Sequence, residues 1–238
     1  VSGQVTGSIK SSKAEIKTIT LAGPPSLSAV TAATVTFIQG NVSTVTSFLS
    51  AAPLTVTANG SSLATLSATI RDSNSNPIPG LVPTFVSSGG AGDLLAQPAL
   101  PSDTNGQTSI TMTSTVAGVK TIALSSPVGL TAVTAISVTF IPGNASSTTS
   151  SLTGTPSTVT ADNTALSTIT IIVKDAQGNF VTGLSGITLS STGTGNSITQ
   201  PSGSTDASGQ ITGTIKSSKA EIKTLTLSAP SGLTSMTA

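Results

Sequence analysis

The sequence predicts an all-β protein built from tandem β-sandwiches, and three observations predict this fold class. Thr and Val, which favour pleated strands, are abundant, and Ser and Thr together make up 83 of the 238 residues. The chain repeats itself at an offset of 103 residues, which is the size of a domain. Within each repeat, short alternating apolar stretches are separated by Asn, Asp, Gly and Pro, and no stretch shows the apolar period of a helix.

The repeat aligns without gaps. Residues 37–41 (Phe-Ile-Gln-Gly-Asn) recur as residues 140–144 (Phe-Ile-Pro-Gly-Asn), and the Arg-Asp pair at 71–72 recurs as Lys-Asp at 174–175. A period of 103 residues is far longer than that of a solenoid. We therefore divide the chain into unit 1 (1–41, the C-terminal part of a domain), unit 2 (42–144, a complete domain) and unit 3 (145–238, a domain lacking its last strand).

Units 1 and 3 resemble each other more than either resembles unit 2. Residues 2–32 match residues 208–238 at 21 of 31 positions. This pattern predicts two alternating types of domain in a longer parent protein.

Unit 2 shows the strand pattern best. Leu66, Ala68 and Ile70 alternate with polar residues, which is the period of a half-buried strand. The other strands that the sequence predicts are residues 55–58, 81–87, 109–115, 119–125 and 131–141. About seven short strands per hundred residues is typical of an immunoglobulin-like sandwich. Because the chain has no Cys or Trp, the core of that sandwich must be aliphatic.

Turn residues connect these strands. Residues 72–77 are predicted as a turn, since Asp and Asn tolerate left-handed backbone geometry. Residues 103–107 predict a hairpin in which the Asn-Gly pair forms a type I′ turn. Residues 10–17 are the best candidate for a helix. They are instead predicted as strand–turn–strand, because β-branched residues surround them and their counterparts at 113–120 include Thr, Val and Gly.

Composition excludes several classes of function. Without His or Cys the chain has no zinc finger, no Cys nucleophile and no Ser-His-Asp triad. A net charge of +1 gives no strong field for nucleic acid or anionic lipid, and the apolar runs are too short to span a membrane. No signal peptide begins at Val1. We therefore predict no enzyme, no catalytic residue, no cofactor and no metal.

The order of motifs in unit 2 resembles a known family. Thr-Val-Thr-Ala at 55–58 precedes an alternating strand ending in Arg-Asp, followed by Asn-Pro-Ile-Pro-Gly at 76–80 and Asp-x-x-Gly-Gln at 103–107. This order resembles the bacterial Ig-like domains of group 1, the repeats of invasin- and intimin-type adhesins and of other large bacterial surface proteins. The best-matching stretches are 58–80, 104–124 and 157–183.

The resemblance covers all three units, and it implies an extracellular tandem array that spaces or presents something, with no catalytic residue to carry over. Unit 3 departs from the family pattern, because Phe180-Val181-Thr182 replaces the proline-containing segment.

The eight carboxylates are Glu15, Asp72, Asp93, Asp103, Asp162, Asp175, Asp206 and Glu221. Four of them recur at turn positions, as Asp72 with Asp175 and Asp103 with Asp206, and their side chains are predicted to accept hydrogen bonds from turn amides. The alternative is a calcium ion at a junction between units, to which Asp162 would contribute.

Two equivalent sets of lysines are candidates for a binding site. Lys10, Lys13 and Lys17 recur as Lys216, Lys219 and Lys223. We interpret them as a solvated strand or hairpin edge that discourages edge-to-edge pairing. The alternatives are contact with an anionic polysaccharide or another subunit, or a Lys–Asn isopeptide bond, which would need a buried carboxylate beside the lysine.

Three Asn-x-Ser triplets begin at Asn41, Asn59 and Asn144. They fit the glycosylation pattern but are expected by chance in so Ser-rich a chain. Phe37 and Phe140 recur in register and are predicted to pack in the core of the last strand or at a junction.

The sequence therefore predicts a structural segment of a bacterial extracellular fibre, stalk or surface adhesin. Its partners would be neighbouring repeats or other copies, associating through strand edges, and cell-surface polysaccharide is a further candidate. The incomplete third unit raises the narrower hypothesis that it accepts a strand from another copy. The alternative function is a carbohydrate- or receptor-binding module acting through loops such as 87–100 and 191–200, although the absence of Trp and Tyr argues against it.

Overall fold

The computed structural model describes residues 3–27 and 29–238, so Val1, Ser2 and Ser28 of unit 1 lie outside the described residues. The described chain is nearly all strand. Its sixteen strands are β1 (Ile16–Ile19), β2 (Ala33–Thr36), β3 (Phe48–Ala52), β4 (Thr55–Thr57), β5 (Ala64–Thr69), β6 (Thr84–Ser87), β7 (Asp93–Ala96), β8 (Gln107–Ser114), β9 (Gly118–Ser126), β10 (Ile136–Ile141), β11 (Ser151–Thr155), β12 (Ser167–Ile172), β13 (Thr188–Ser191), β14 (Asn196–Thr199), β15 (Gln210–Ser217) and β16 (Leu225–Ala229). The helices of the described residues are three-residue 3₁₀ turns, which fall far short of the length needed to cross a membrane.

Unit 2 is a sandwich of two four-stranded sheets, in the orders β3-β5-β8-β7 and β4-β10-β9-β6. All strand pairs of the unit are antiparallel except β4 with β10, which is parallel. The all-β immunoglobulin-like prediction is thus confirmed, with eight strands in this unit where the sequence predicted about seven.

Two strands of unit 2 were missed by the sequence prediction. Both β3 and β7 contain Ala and Leu without β-branched residues, so their composition gives little strand signal. The prediction for 81–87 began too early, because Pro83 has no N–H for a ladder and the strand begins at Thr84. The prediction for 131–141 was wrong at its start as well, because a 3₁₀ turn at Val128–Leu130 precedes the strand and buries Leu130 completely.

The turn at 103–107 differs from the predicted type I′ geometry. Of the Asn-Gly pair only Gly106 has a positive φ, at 71°, whereas a type I′ turn needs two such residues. A Cβ at position 106 would lie 2.3 Å from the carbonyl oxygen of Ile70. Glycine is therefore required here both by the backbone angle and by the close approach to β5.

The core of unit 2 lies between its sheets. Its largest fully buried side chains are Phe85, Phe140, Leu66, Ile70, Met112, Ile122, Leu130 and Val138. The prediction of an aliphatic core is confirmed, with two Phe rings and one Met added, and Phe140 lies on the last strand as predicted. Burial of each such side chain contributes roughly 1.5–3 kcal/mol, which suffices without disulfides at this size.

Unit 3 repeats the arrangement in the sheets β11-β12-β15-β14 and β13-β16. Its core includes Ile169, Ile171, Leu227 and Leu233, all nearly inaccessible. Residues 158–160, the counterpart of β4, form no strand. The side chain of Val159 is accordingly 37% exposed, whereas its counterpart Val56 is 6% exposed.

Unit 1 consists of the hairpin β1-β2, the counterpart of β9 and β10. Residues 3–10 form no strand, and Phe37 is only half-buried. The strand–turn–strand prediction for 10–17 is confirmed only in part, because β1 begins at Ile16 but residues 3–15 form no strand before the turn. At the counterpart residues 113–120 both strands are present, since β8 ends at Ser114 and β9 begins at Gly118.

Candidate functional site: the junctions between units

The most distinctive polar cluster in the chain lies where unit 1 meets unit 2. Oδ2 of Asp72 accepts a hydrogen bond from the backbone N–H of Gly40 in the linker, at 2.8 Å. Four residues on, the amide of Asn76 contacts the loop that leads into β1 of unit 1: its Nδ2 donates to the carbonyl oxygen of Ser12 at 2.8 Å, and its Oδ1 accepts from the N–H of Ala14 at 2.9 Å. We name these contacts clasp 1.

The junction between units 2 and 3 is built in the same way. Oδ2 of Asp175 accepts from the N–H of Gly143 at 2.9 Å. Asn179 donates from Nδ2 to the carbonyl oxygen of Thr115 at 3.0 Å and accepts at Oδ1 from the N–H of Ala117 at 2.8 Å. We name these contacts clasp 2. Each of its five residues lies 103 positions after its counterpart in clasp 1, so the clasp repeats with the domain.

The turn itself holds the clasp residues in place. Oδ1 of Asp72 accepts from the N–H groups of Asn74 and Asn76, both at 2.9 Å, and its Oδ2 accepts from the side-chain amide of Asn76 at 2.8 Å. The turn also needs one left-handed residue, which is Ser75 in unit 2 (φ 65°) and Gly178 in unit 3 (φ 88°). Asp72 and Asn76 are therefore fixed by their own unit before they meet the preceding one.

The start of each unit is tied to the same turn. Val42 forms a β-bridge with Asp72, and the hydroxyl of Thr46 donates to the carbonyl oxygen of Asp72 at 2.7 Å. In unit 3 the bridge joins Ala145 to Asp175, and Thr149 donates to that residue's carbonyl oxygen at 2.6 Å. One aspartate thus organises the turn, the linker and the start of the unit.

The clasps keep both carboxylates charged although they are buried, with Asp72 2% and Asp175 0% exposed. Burial alone would raise the pKa of Asp72, but hydrogen bonds from Asn76, Gly40 and the turn amides outweigh it and hold that pKa below its usual value. The pKa of Asp175 is lowered in the same way, with Asn179 as the strongest donor acting against burial.

Each clasp can fix the orientation of two units. It has three hydrogen bonds between units, one of them to a carboxylate, and their summed net contribution is about 2.5–6 kcal/mol. The bonds reach two separated points on the preceding unit, its linker and the loop before β1 or β9, so the contact restrains both bending and twisting.

The prediction that the repeated aspartates bond turn amides is confirmed. In the second pair, Oδ1 of Asp103 accepts from the N–H groups of Asn105 and Gln107, both at 2.8 Å, and Asp206 does the same in unit 3. Sequence reasoning missed the role of Asp72 and Asp175 between units. The available signal was an Asp with an Asn four residues later, repeated in step with the Gly-Asn linker.

The carboxylate oxygens of the clasps face N–H donors, whereas calcium needs several oxygen ligands. Asp162 lies away from this arrangement: its Oδ1 accepts from the N–H groups of Thr164 and Ala165, which lowers its pKa to about 2. Within residues 3–27 and 29–238, no three acidic side chains come together as a metal site would require.

The structure contradicts the predicted strand edge at one of the six lysines. Lys216 lies on β15, which is paired on both sides, by β12 and β14. Lys223 forms an ion pair with Glu221 and donates to the carbonyl oxygen of Thr194 at 2.7 Å. Lys17 pairs with Glu15 in the same way in unit 1. Among the described residues β1, which carries Lys17, pairs with β2 alone, so the edge interpretation stays a prediction for this lysine.

The two segments predicted as binding loops are not open loops. Residues 87–100 contain the strand β7, and residues 191–200 contain the strand β14, each at the edge of a sheet. Asn41, Asn59 and Asn144 of the three Asn-x-Ser triplets are all exposed.

Comparisons with known proteins agree with this architecture. The model of the bacterial Ig-like domain (group 1) family matches residues 46–141 and 149–238. The inverse autotransporter adhesin YeeJ of Escherichia coli (strain K12) is 33% identical over 121 residues, which is 51% of this chain but only 5% of that relative's length.

Solved structures show the same fold. Invasin, titled a bacterial integrin-binding protein, superposes with a TM-score of 0.61 at 23% identity, over 83% of this chain and 39% of that one. Yersinia pseudotuberculosis InvD superposes with a TM-score of 0.53 at 27% identity, over 82% of this chain and 58% of that one. With family matches to both of its larger units, the chain belongs to the bacterial Ig-like domain (group 1) family.

Proposed function

We propose that this chain is a segment of the extracellular stalk of a bacterial surface adhesin, in which each Ig-like unit adds length at a fixed angle. The observation that carries the proposal is the repetition of the clasp at both junctions with the same five residue positions. The relatedness to an inverse autotransporter adhesin supports the adhesin context and a location at the cell surface.

The mechanism is geometric and involves no chemical reaction. The clasp joins each unit to a loop and the linker of the unit before it, so successive units form a stiff rod. As part of this proposal we place the boundaries between units at 41/42 and 144/145. The linker glycines of the two clasps, Gly40 and Gly143, then lie just before a boundary. The immediate partners of each unit are the neighbouring repeats, and a receptor or polysaccharide would bind elsewhere in the parent protein.

Distances between spin labels test the stiffness of the second junction. The chain has no Cys, so Ser50→Cys and Thr153→Cys, at equivalent exposed positions in units 2 and 3, give two unique labels. We expect a narrow distance distribution that broadens in the clasp 2 double variant Asp175→Ala/Asn179→Ala. The matched control is Asp103→Ala, which removes the same kind of turn bond inside unit 2 but contacts no other unit. A clasp variant as narrow as the wild type would refute the proposal.

A further inference from the structure

The second and last strands of unit 2 meet in the one parallel pairing of that unit. β4 and β10 align with Thr55 opposite Thr139 and Thr57 opposite Ile141. The N–H of Thr139 donates to the carbonyl oxygen of Leu54 at 2.8 Å, and at the other end the N–H of Ala58 donates to that of Ile141 at 2.8 Å.

Tension along the chain acts on this pair in a particular direction. The chain reaches β4 from the unit 1 side and leaves β10 towards unit 3 just after Ile141. A pull on the two ends of the unit therefore draws β4 towards its N-terminus and β10 towards its C-terminus. Since the strands are parallel, they are pulled in opposite directions along a common axis, and all their hydrogen bonds bear the load together.

The strand before β4 does not relieve this load. β3 pairs with β5 in the opposite sheet, with Phe48 opposite Thr69 and Ala52 opposite Thr65. A pull from the N-terminal side slides β3 along β5, and once β3 detaches the tension passes directly to β4. The pairing of β4 with β10 is then the last barrier before the two sheets separate.

β4 also depends on β10 for its own structure. It is an edge strand of three residues, and within its sheet it pairs with β10 alone. At the equivalent residues 158–160 of unit 3, which have no such partner among the described residues, no strand forms. Loss of the β4–β10 pair therefore removes β4 and exposes the core beneath Val56.

We propose that the β4–β10 pair is a mechanical clamp that sets the force at which unit 2 unfolds. The inference builds on the proposed stalk function, because a stalk transmits the tension between a cell and whatever it holds. The clamp proposal concerns the force that unit 2 withstands, whereas the stalk proposal concerns the angle that the clasps fix between units. An experiment can therefore refute either proposal without refuting the other.

Pulling the same unit in two directions tests the clamp. The full chain, which has no native Cys, is held in a force spectrometer through two introduced cysteines. Asn41→Cys with Asn144→Cys loads β4 and β10 in shear. Ser61→Cys with Asn144→Cys grips both strands near their C-terminal ends and peels them apart one bond at a time. Residues 41, 61 and 144 are exposed, so handles at these positions leave the core intact.

We expect the shear pair to unfold at a force higher than the peeling pair by about twofold or more, since forced unfolding is governed by the barrier along the pulling direction. Equal forces in the two directions would overturn the proposal, and so would a higher peeling force. If Ser61→Cys perturbs folding, as urea unfolding would show, Asn59→Cys serves as the second peeling handle.

A second variant tests the bonds themselves. Thr139→Pro in the shear background removes the N–H that donates to Leu54. We expect this variant to unfold at a lower force than its parent when pulled in shear. When it is peeled from residue 144, we expect the same unfolding force as in the parent, because the bond to Leu54 lies at the far end of the pair and breaks only after the force maximum. An unchanged shear force would contradict the clamp.

Discussion

A buried ion pair joins the two sheets of unit 2, and breaking it should destabilise that unit alone. Nζ of Lys120 on β9 lies 3.3 Å from Oδ1 of Asp93 on β7, and the two side chains are only 5% and 2% exposed. The other carboxylate oxygen accepts a hydrogen bond from the hydroxyl of Ser87 at 2.5 Å. In unit 3 the counterpart of Asp93 is Asn196, so the pair is confined to unit 2.

The expected change in the free energy of unfolding follows from two opposing effects. At 3.3 Å and an effective dielectric constant of 20, the attraction between Lys120 and Asp93 is about 5 kcal/mol. Removing each ion from water costs several kcal/mol, so the intact pair contributes little net stability. Truncation of one partner leaves the other charge buried and unpaired. We therefore expect Asp93→Ala to lower the free energy of unfolding by about 3–5 kcal/mol, and the double variant Asp93→Leu/Lys120→Met to stay within about 1 kcal/mol of wild type.

The free energy of unfolding is measured by urea unfolding. Far-ultraviolet circular dichroism is the probe, because the chain has no Trp or Tyr to report by fluorescence. The transition of unit 3 serves as an internal reference and should not move. Gly89→Ala is a second probe, since a Cβ there would lie 2.0 Å from the Asp93 carboxylate and 2.6 Å from the Lys120 side chain. A loss below about 1 kcal/mol for Asp93→Ala, or equal losses in the single and double variants, would refute the electrostatic reasoning.

Three further outcomes are expected. Ser75→Gly should stabilise unit 2 by about 1 kcal/mol in urea, because Ser75 has a φ of 65° that glycine adopts without strain; a destabilised variant would contradict this. Gly106→Ala should cost unit 2 about 3 kcal/mol or more in the same assay, since its Cβ would lie 2.3 Å from the Ile70 carbonyl oxygen; wild-type stability would contradict it. The folded pKa of Asp72 and Asp175 lies below the unfolded value of about 3.9, so the clasps stabilise the junctions fully above that pH and lose this contribution as pH falls through the folded pKa. The spin-label distribution between units 2 and 3 should therefore broaden in acid, and a distribution that stays narrow after both carboxylates are protonated would contradict this.

Regular alternation made β5 predictable, and its absence hid β3 and β7, the two edge strands of the same sheet. β5 directs Ala64, Leu66 and Ala68 towards the core, and this period of two can be recognised from the sequence alone. β7 has only one core-facing Leu and a buried charge at Asp93, so its strand character comes from pairing with β8. That pairing is a tertiary effect, which local composition does not encode.

The clasp was hidden for a different reason. The sequence correctly assigned Asp72 to a turn, because its carboxylate closes that turn on Asn74 and Asn76. The second carboxylate oxygen accepts from Asn76 and also from Gly40 of the linker, and this second contact depends on how units are placed in space. The 103-residue repeat showed that the positions recur, yet only the fold brings the loop of one unit against the turn of the next.

This double use of one side chain lowers the free-energy cost of stiffness. A flexible contact between domains would have to order its side chains on docking, at about 0.5–1.5 kcal/mol for each one immobilised. Asp175 and Asn179 are already held by their own turn, through bonds to the amides of Gln177 and Asn179 and to each other. Little entropy remains to be lost when they accept Gly143 and Ala117 of the preceding unit. Folding of each turn thus prepares its junction, and the rigidity of the rod follows from the stability of its units.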